Sequence, residues 1–273
     1  MDQTRRGVGH KTATQEVKNF VGAYLQLADA EAPGLIEGLY LTGSAVLDDF
    51  RPNTSDIDFV AVTATPPDTA ALTAMERVHA RLRKRFPRQL FDGVYLSWGE
   101  LKHEARDVVT WQILTHYGQA FRGPRLADVG VWTNSQALTH WTLNNLDTYW
   151  RPLLDRASNF FSPRGWIALT GYGAVWIVLG ITRLHYTLAT GDIVSKEGAG
   201  LYALQTFPEK WHRVVNECLR IRRADQARPD IASAVAELLG KHGESLYRTP
   251  FKRRSDVLAF ANMVITDAQK FQS

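Results

Sequence analysis

Asp56 and Asp58 stand two residues apart in Ser55-Asp56-Ile57-Asp58-Phe59-Val60, at the head of an apolar run. A third acid, Asp92, sits inside Leu90-Phe91-Asp92-Gly93-Val94-Tyr95-Leu96. On an extended chain residues i and i+2 point to the same face, so the first two carboxylates lie a few ångströms apart. Like charges that close repel unless a cation sits with them. An oxygen-only donor set with open positions suits Mg²⁺, which takes one or two carboxylates and fills its shell with water and substrate phosphates. Upstream, Leu41-Thr42-Gly43-Ser44 ends another short apolar segment. Gly43 permits close backbone approach, and Ser44 offers a hydroxyl and an N–H to a phosphate if it opens a helical turn. A lone Asp-x-Asp occurs often by chance. The order carries more weight: apolar strand, Gly-Ser, 11 residues, Asp-x-Asp, apolar strand, then a third acid. Asp92 is expected to be buried there and to need a partner, because uncompensated burial of a carboxylate is costly.

The elements that must position these residues are legible from periodicity. Val17, Phe20, Val21, Tyr24 and Leu25 recur at helical spacing within residues 14–30, and Ala32-Pro33-Gly34 ends that pattern. Strands are expected over 35–42, 56–62 and 90–96, with a helix over 69–86 after the turn Pro66-Pro67-Asp68. From about residue 104 the patterns are helical: 104–119, 135–150, 164–190, 197–205, 209–223, 229–241 and 253–270. The fold class expected is α+β, an α/β domain over 1–110 followed by an all-α helical bundle over 111–273.

The 273 residues suit two domains, and 45% hydrophobic with 22% charged residues excludes wholesale disorder. A net charge of +4 permits a polyanionic partner without requiring one. The single cysteine, Cys218, rules out a disulfide within the chain and any thiolate metal cluster. The first fifteen residues hold no apolar signal segment, so a cytoplasmic protein is expected. Residues 165–182 form 18 uncharged residues, the lower limit for a membrane span. With four glycines and a single such segment mid-chain, a helix surrounded by others is the expectation, and no membrane partner. The basic run Arg81-Leu82-Arg83-Lys84-Arg85-Phe86-Pro87-Arg88 reads as the solvated end of the 69–86 helix, so nucleic acid is not an expected partner. The eight histidines show no metal-ligand spacing. Trp166, Tyr172 and Trp176 read first as core aromatics.

The Gly43-Ser44 turn followed by Asp56-x-Asp58 resembles the nucleotidyltransferase superfamily of the polymerase-beta type. More closely, Leu39-Tyr40-Leu41-Thr42-Gly43-Ser44-Ala45-Val46 and Arg51-Pro52-Asn53-Thr54-Ser55-Asp56-Ile57-Asp58 resemble the aminoglycoside 3''-adenylyltransferases, with a loop one residue longer. Arg122-Gly123-Pro124, the stretch from Ile181 to Glu197, and Phe207-Pro208 are also similar to that family, so the likeness spans residues 35–220. The resemblance implies that ATP and Mg²⁺ bind between the two domains and that AMP passes to a hydroxyl of a small molecule, an aminoglycoside or aminocyclitol antibiotic. It implies that Ser44 and Ser55 contact the nucleotide phosphates beside Gly43, that Asp56 and Asp58 bind Mg²⁺, and that Arg183 and Lys196 reach the ATP phosphates. Asp92 falls where the family has an acid, usually Glu, that deprotonates the attacking hydroxyl or joins the metal. Being one methylene shorter, Asp92 is open to both roles or to metal binding alone. The family meets its cationic drug partly through acids in the stretch that is uncharged here, which points to a less cationic acceptor or one held by aromatic rings. Two other readings stand beside this one: a toxin-like nucleotidyltransferase acting on protein or tRNA, and a nucleotide-binding module without turnover. A monomer or weak homodimer is expected.

Overall fold

The structure is a computed structural model and describes residues 13–103, 107–160, 162–224 and 245–271. The helix expected over 229–241 lies outside the described residues. The chain divides into two compact units: the residues up to Phe50 with Ser55–Thr133, and Arg51–Thr54 with the residues from Asn134 onward.

In the first unit, helix α1 (Gln15–Glu31) starts at Thr14, whose side chain accepts from the Val17 N–H. Strand β1 (Gly38–Thr42) runs into a single 3₁₀ turn, Gly43–Ala45. Strand β2 (Ile57–Thr63), helix α2 (Thr69–Arg85), strand β3 (Phe91–Ser97) and the short helix α3 (Trp98–Lys102) follow. Helix α4 (Val108–Tyr117), strand β4 (Gln119–Arg122) and helix α5 (Leu126–Val129) complete the unit. The sheet order is β3-β2-β1-β4, with β2 and β3 parallel and the other pairs antiparallel. Leu39, Leu41, Phe59 and Ala61 pack with Phe20, Tyr24, Met75 and Val78 of α1 and α2. Tyr40, Val60 and Val62 point the other way, to Leu101, Trp111 and Leu114. Burial on both faces is why β1 and β2 read as unbroken apolar runs rather than alternating ones.

β4 was not among the expected strands. It has four residues and pairs only with β1, and its Arg122 forks onto Asp29 with two 2.6 Å hydrogen bonds. That tie holds the Asp29 carboxyl below its usual range. A strand this short carries too little alternation to show in a sequence. The basic run behaves as expected: Arg83, Lys84 and Arg85 are exposed in the last turn of α2, while Arg77 and Arg81 both meet Glu31.

The second unit is helical: α6 (Ser135–Asn145), a π turn (Leu146–Trp150), α7 (Arg151–Ser158), α8 (Pro163–Ile167), α9 (Gly171–Thr190), α10 (Lys196–Thr206), α11 (His212–Arg223) and a last helix, Pro250–Ala268. The uncharged segment is the centre of this unit. Ala174, Ile177, Val178, Leu179 and Ile181 of α9 are buried against α7, α10, α11 and the last helix. Among the described residues no helix is long and apolar enough to cross a membrane. The expected helix over 164–190 is broken in two. Thr170 caps α9 by accepting from the Gly173 N–H, and buried Arg253 donates to the Leu169 carbonyl at the break. Trp176 packs on the core as expected, but Trp166 and Tyr172 are exposed, which corrects the core reading for those two.

His185 of α9 is fully buried, with Nε2 2.7 Å from Asp267 Oδ2 and Nδ1 2.9 Å from the Tyr202 hydroxyl. The carboxylate can only accept, so Nε2 carries the proton and Nδ1 accepts from the tyrosine. Burial pulls its pKa below the usual histidine value, against the opposing pull of Asp267. A histidine whose folded pKa is depressed supports the fold fully above its unfolded value, and that support is lost as pH falls toward the folded value. The melting temperature is therefore expected to drop as pH falls below about 6.5, with a shallower slope in His185→Gln. Equal slopes in the two proteins would contradict this assignment.

Candidate functional site

In the first unit the sheet register sets two of the three predicted acids on neighbouring positions. Asp58 of β2 is the register partner of Asp92 on the parallel strand β3, and of Thr42 on β1. Adjacent strands lie about 4.8 Å apart, and paired residues of a parallel ladder point to the same face. Asp56 precedes β2 by one residue, and its backbone carbonyl is 3.5 Å from the Ser44 hydroxyl. Ser55 is half-buried directly before it. Gly43 begins the 3₁₀ turn with φ +62°, and a Cβ placed on it would lie 1.8 Å from Asp58 Oδ2. The glycine is thus required twice, by its left-handed backbone and by the carboxylate packed against it.

One expectation is corrected. Asp92 is exposed, not buried, because β3 is an edge strand whose first half faces solvent. Burial therefore does not force a partner on Asp92, and it is the strand register that sets it beside Asp58. Asp92 is also felt by His79 of α2. Burial and Arg83 hold that histidine below its usual pKa, with Asp92 pulling the other way.

The residues present fit a divalent cation of the Mg²⁺ kind. The donors are oxygens only, and the carboxylate of Asp58 occupies the space left by the missing side chain of Gly43. Among the described residues no group of three or more His, Cys, Asp or Glu is gathered as a metal centre. A site of one or two carboxylates completed by substrate phosphates is the form Mg²⁺ accepts and Zn²⁺ does not. Asp107 caps α4, accepting from the Val109 and Thr110 N–H groups and the Thr110 hydroxyl.

Gly43→Ala is expected to cost about 1–2 kcal/mol through the left-handed backbone, a loss read by chemical denaturation. The larger effect falls on the carboxylate, which must swing aside. Displacement of a reacting group by an ångström costs about 10²-fold in rate, so the nucleotidyl transfer that the resemblance implies should fall at least that far in a protein that still folds.

In the second unit, Arg183 lies half-buried on α9 and donates from Nε to the Val194 carbonyl at 2.9 Å. α9 ends at Gly191 in the left-handed conformation, as the sequence suggests. Lys196 is the first residue of α10, and Ser195 caps that helix by accepting from the Gly198 N–H at 3.0 Å. Arg183, about two turns before the end of α9, thus reaches into the loop that follows that helix, and Lys196 opens the helix after the loop. The Val194 carbonyl that receives Arg183 and the Ser195 cap of α10 are contacts that residue type alone did not single out. The Ser-x-x-Gly spacing before an apolar helix is the signal that could have found the cap.

Residues 162–243 match the family model of the aminoglycoside adenylyltransferase C-terminal domain. No curated protein sequence matches the chain. Among solved structures, the spectinomycin adenyltransferase AAD(9) from Enterococcus faecialis, with ATP and spectinomycin, is similar at a TM-score of 0.62 and 12% identity, over 90% of this chain and 98% of that one. At that identity the likeness shows the fold. A tri-AMPylated Shewanella oneidensis HEPN toxin in complex with MNT antitoxin is 18% identical over 52% of this chain and 92% of that chain, at a TM-score of 0.26, too low to carry an argument. The family resemblance read from the sequence is borne out as a likeness: residues 162–243 match the C-terminal-domain model of the aminoglycoside adenylyltransferases, on a chain whose fold is similar to that of a spectinomycin adenyltransferase.

Proposed function

We propose that this protein is an ATP-dependent adenylyltransferase that moves AMP onto a hydroxyl of a small aminocyclitol or aminoglycoside. The observation that supports this most is the register of Asp58 with Asp92 beside Gly43, within a fold shared with an adenyltransferase. Asp56 and Asp58 would hold Mg²⁺, with Asp92 added along the strand. When bound, the ion would neutralise charge on the phosphates and polarise the reacting phosphorus. Ser44 and Ser55 hold phosphate oxygens by hydrogen bonds. Arg183 offers a planar fork and Lys196 a point charge to a triphosphate carrying about four negative charges. In the reaction the acceptor oxygen bonds to the α-phosphorus and the bond from that phosphorus to the pyrophosphate oxygen breaks. The hydroxyl proton passes to Asp92 or to solvent, and pyrophosphate leaves with the bonding pair.

For the acceptor, the chemistry of α9 favours spectinomycin over streptomycin. Residues 171–190 contain no carboxylate, and Arg164 lies over the Trp176 ring at 5.7 Å. A strongly cationic drug finds no carboxylate on that helix to pair with. Pyrophosphate release from ATP should be acceptor-dependent, with kcat/KM at least about tenfold higher for spectinomycin than for streptomycin, a difference of roughly 1.4 kcal/mol. Release with a protein or tRNA acceptor alone would favour the toxin-like reading, and nucleotide binding with no release would favour a binding module.

A further inference from the structure

Glu197, the second residue of α10, is a poor neighbour for a phosphate-binding Lys196 on charge grounds alone. Its carboxylate is engaged by two guanidiniums, one on each oxygen. Arg51 Nη2 donates to Oε2 at 2.7 Å and Arg223 Nε donates to Oε1 at 2.8 Å. All three residues belong to the second unit, to which the short stretch Arg51–Thr54 is assigned with the helices. Arg51 comes from the segment that leads to Ser55 and Asp56, and Arg223 ends α11. The carboxylate is only 23% exposed on its side chain, so these pairs are screened less than ordinary surface pairs.

An acid beside an anion site lowers affinity for the anion by direct repulsion. Glutamine at this position would remove the repulsion while filling the same space, so the charge must be explained by what it holds. Two arginines on one carboxylate leave the group net positive and fix both guanidiniums, whose side-chain freedom would otherwise be lost when ligand binds. We propose that Glu197 is a positioning residue: it holds Arg51 and Arg223 beside Lys196, so that the cations meeting the triphosphate are set before it arrives. This rests on the adenylyltransferase reading above.

A pure charge effect and a positioning effect have opposite signs. The test is the Kd of ATP with Mg²⁺, measured by calorimetry at one ionic strength on the full chain, for wild type, Glu197→Gln, Glu197→Asp, Arg51→Gln and the Arg51→Gln/Glu197→Gln double variant. Glu197→Gln and Arg51→Gln are each expected to weaken ATP binding roughly tenfold, and the double variant by about the same factor rather than a hundredfold, because they remove one shared interaction. Glu197→Asp should restore part of the loss, and KM for the acceptor should not move. Melting temperatures taken alongside separate this from unfolding. If wild type binds ATP and Glu197→Gln binds it equally or more tightly, or the two single losses add in the double variant, the proposal is wrong while the adenylyltransferase reading survives. If wild type binds no ATP, both are wrong.

Discussion

Asp58→Asn is expected to abolish AMP transfer, with kcat/KM down about 10³-fold or more, while the melting temperature stays close to that of wild type. Asp58 is the point where three strands agree. It pairs with Thr42 on one side and Asp92 on the other, and its carboxylate fills the space that Gly43 leaves open. Asparagine keeps the size and hydrogen-bonding reach of the side chain but removes the charge. The loss is therefore electrostatic, and removing one group aimed at charge in the transition state costs at least about 10²–10³. Steady-state kinetics with circular dichroism on the same preparation checks it. An Asp58→Asn protein with transfer within tenfold of wild type would remove the carboxylate from the reaction. Asp92→Asn should be the milder lesion if Asp92 is only a ligand. It should cost about 10²–10⁴ if it takes the proton of the hydroxyl.

The largest expected effect on stability lies in the other unit. Glu217 of α11 has a fully buried carboxylate. It accepts from Arg220 Nε at 2.9 Å and Nη2 at 3.0 Å, from the Ser245 hydroxyl at 2.7 Å and from the Leu246 N–H at 3.0 Å. Burial by itself would raise its pKa. The bonds from Arg220, Leu246 and Ser245 outweigh it and hold the carboxyl below its usual range. Arg253, buried on the last helix, stands 3.7 Å away and also donates to the Leu169 carbonyl at the α8–α9 break. Glu217→Ala removes the carboxylate that faces the buried Arg253 and takes the acceptor from the Leu246 N–H. Breaking one side of a buried pair costs about 3–5 kcal/mol, read by urea denaturation as a lower midpoint at unchanged slope. A loss below about 1 kcal/mol, the size of an exposed pair, would mean that the network contributes little. Since the folded carboxyl titrates below its unfolded value, this support is present above the unfolded pKa and fades as pH falls through the folded one.

What the sequence showed well were the features fixed by local chemistry. The Gly-Ser turn, the Asp-x-Asp pair, the three longer strands and the cap at Gly191 depend on a few adjacent residues, and each stands where its spacing suggests. What it hid depends on partners far along the chain. The exposure of Asp92 follows from β3 being an edge, which no window around residue 92 reveals. β4 exists because β1 has a free side and Asp29 receives Arg122. The interruption between α8 and α9 rests on Arg253, more than eighty positions downstream of the Leu169 carbonyl it meets. Glu197 is a first-turn acid of α10, and Arg51 and Arg223, which reach its two oxygens, come from positions far away in the sequence.

The central claim is that the α-phosphorus of ATP is attacked and AMP moves. It is tested most directly by incubating the protein with Mg²⁺, spectinomycin and ATP labelled either at the α- or at the γ-phosphate, then following where the label goes. The expected result is labelled spectinomycin from α-labelled ATP and labelled pyrophosphate from γ-labelled ATP, both lost in Asp58→Asn. Label reaching the drug from the γ-phosphate, or no label on any small-molecule acceptor, would contradict the account.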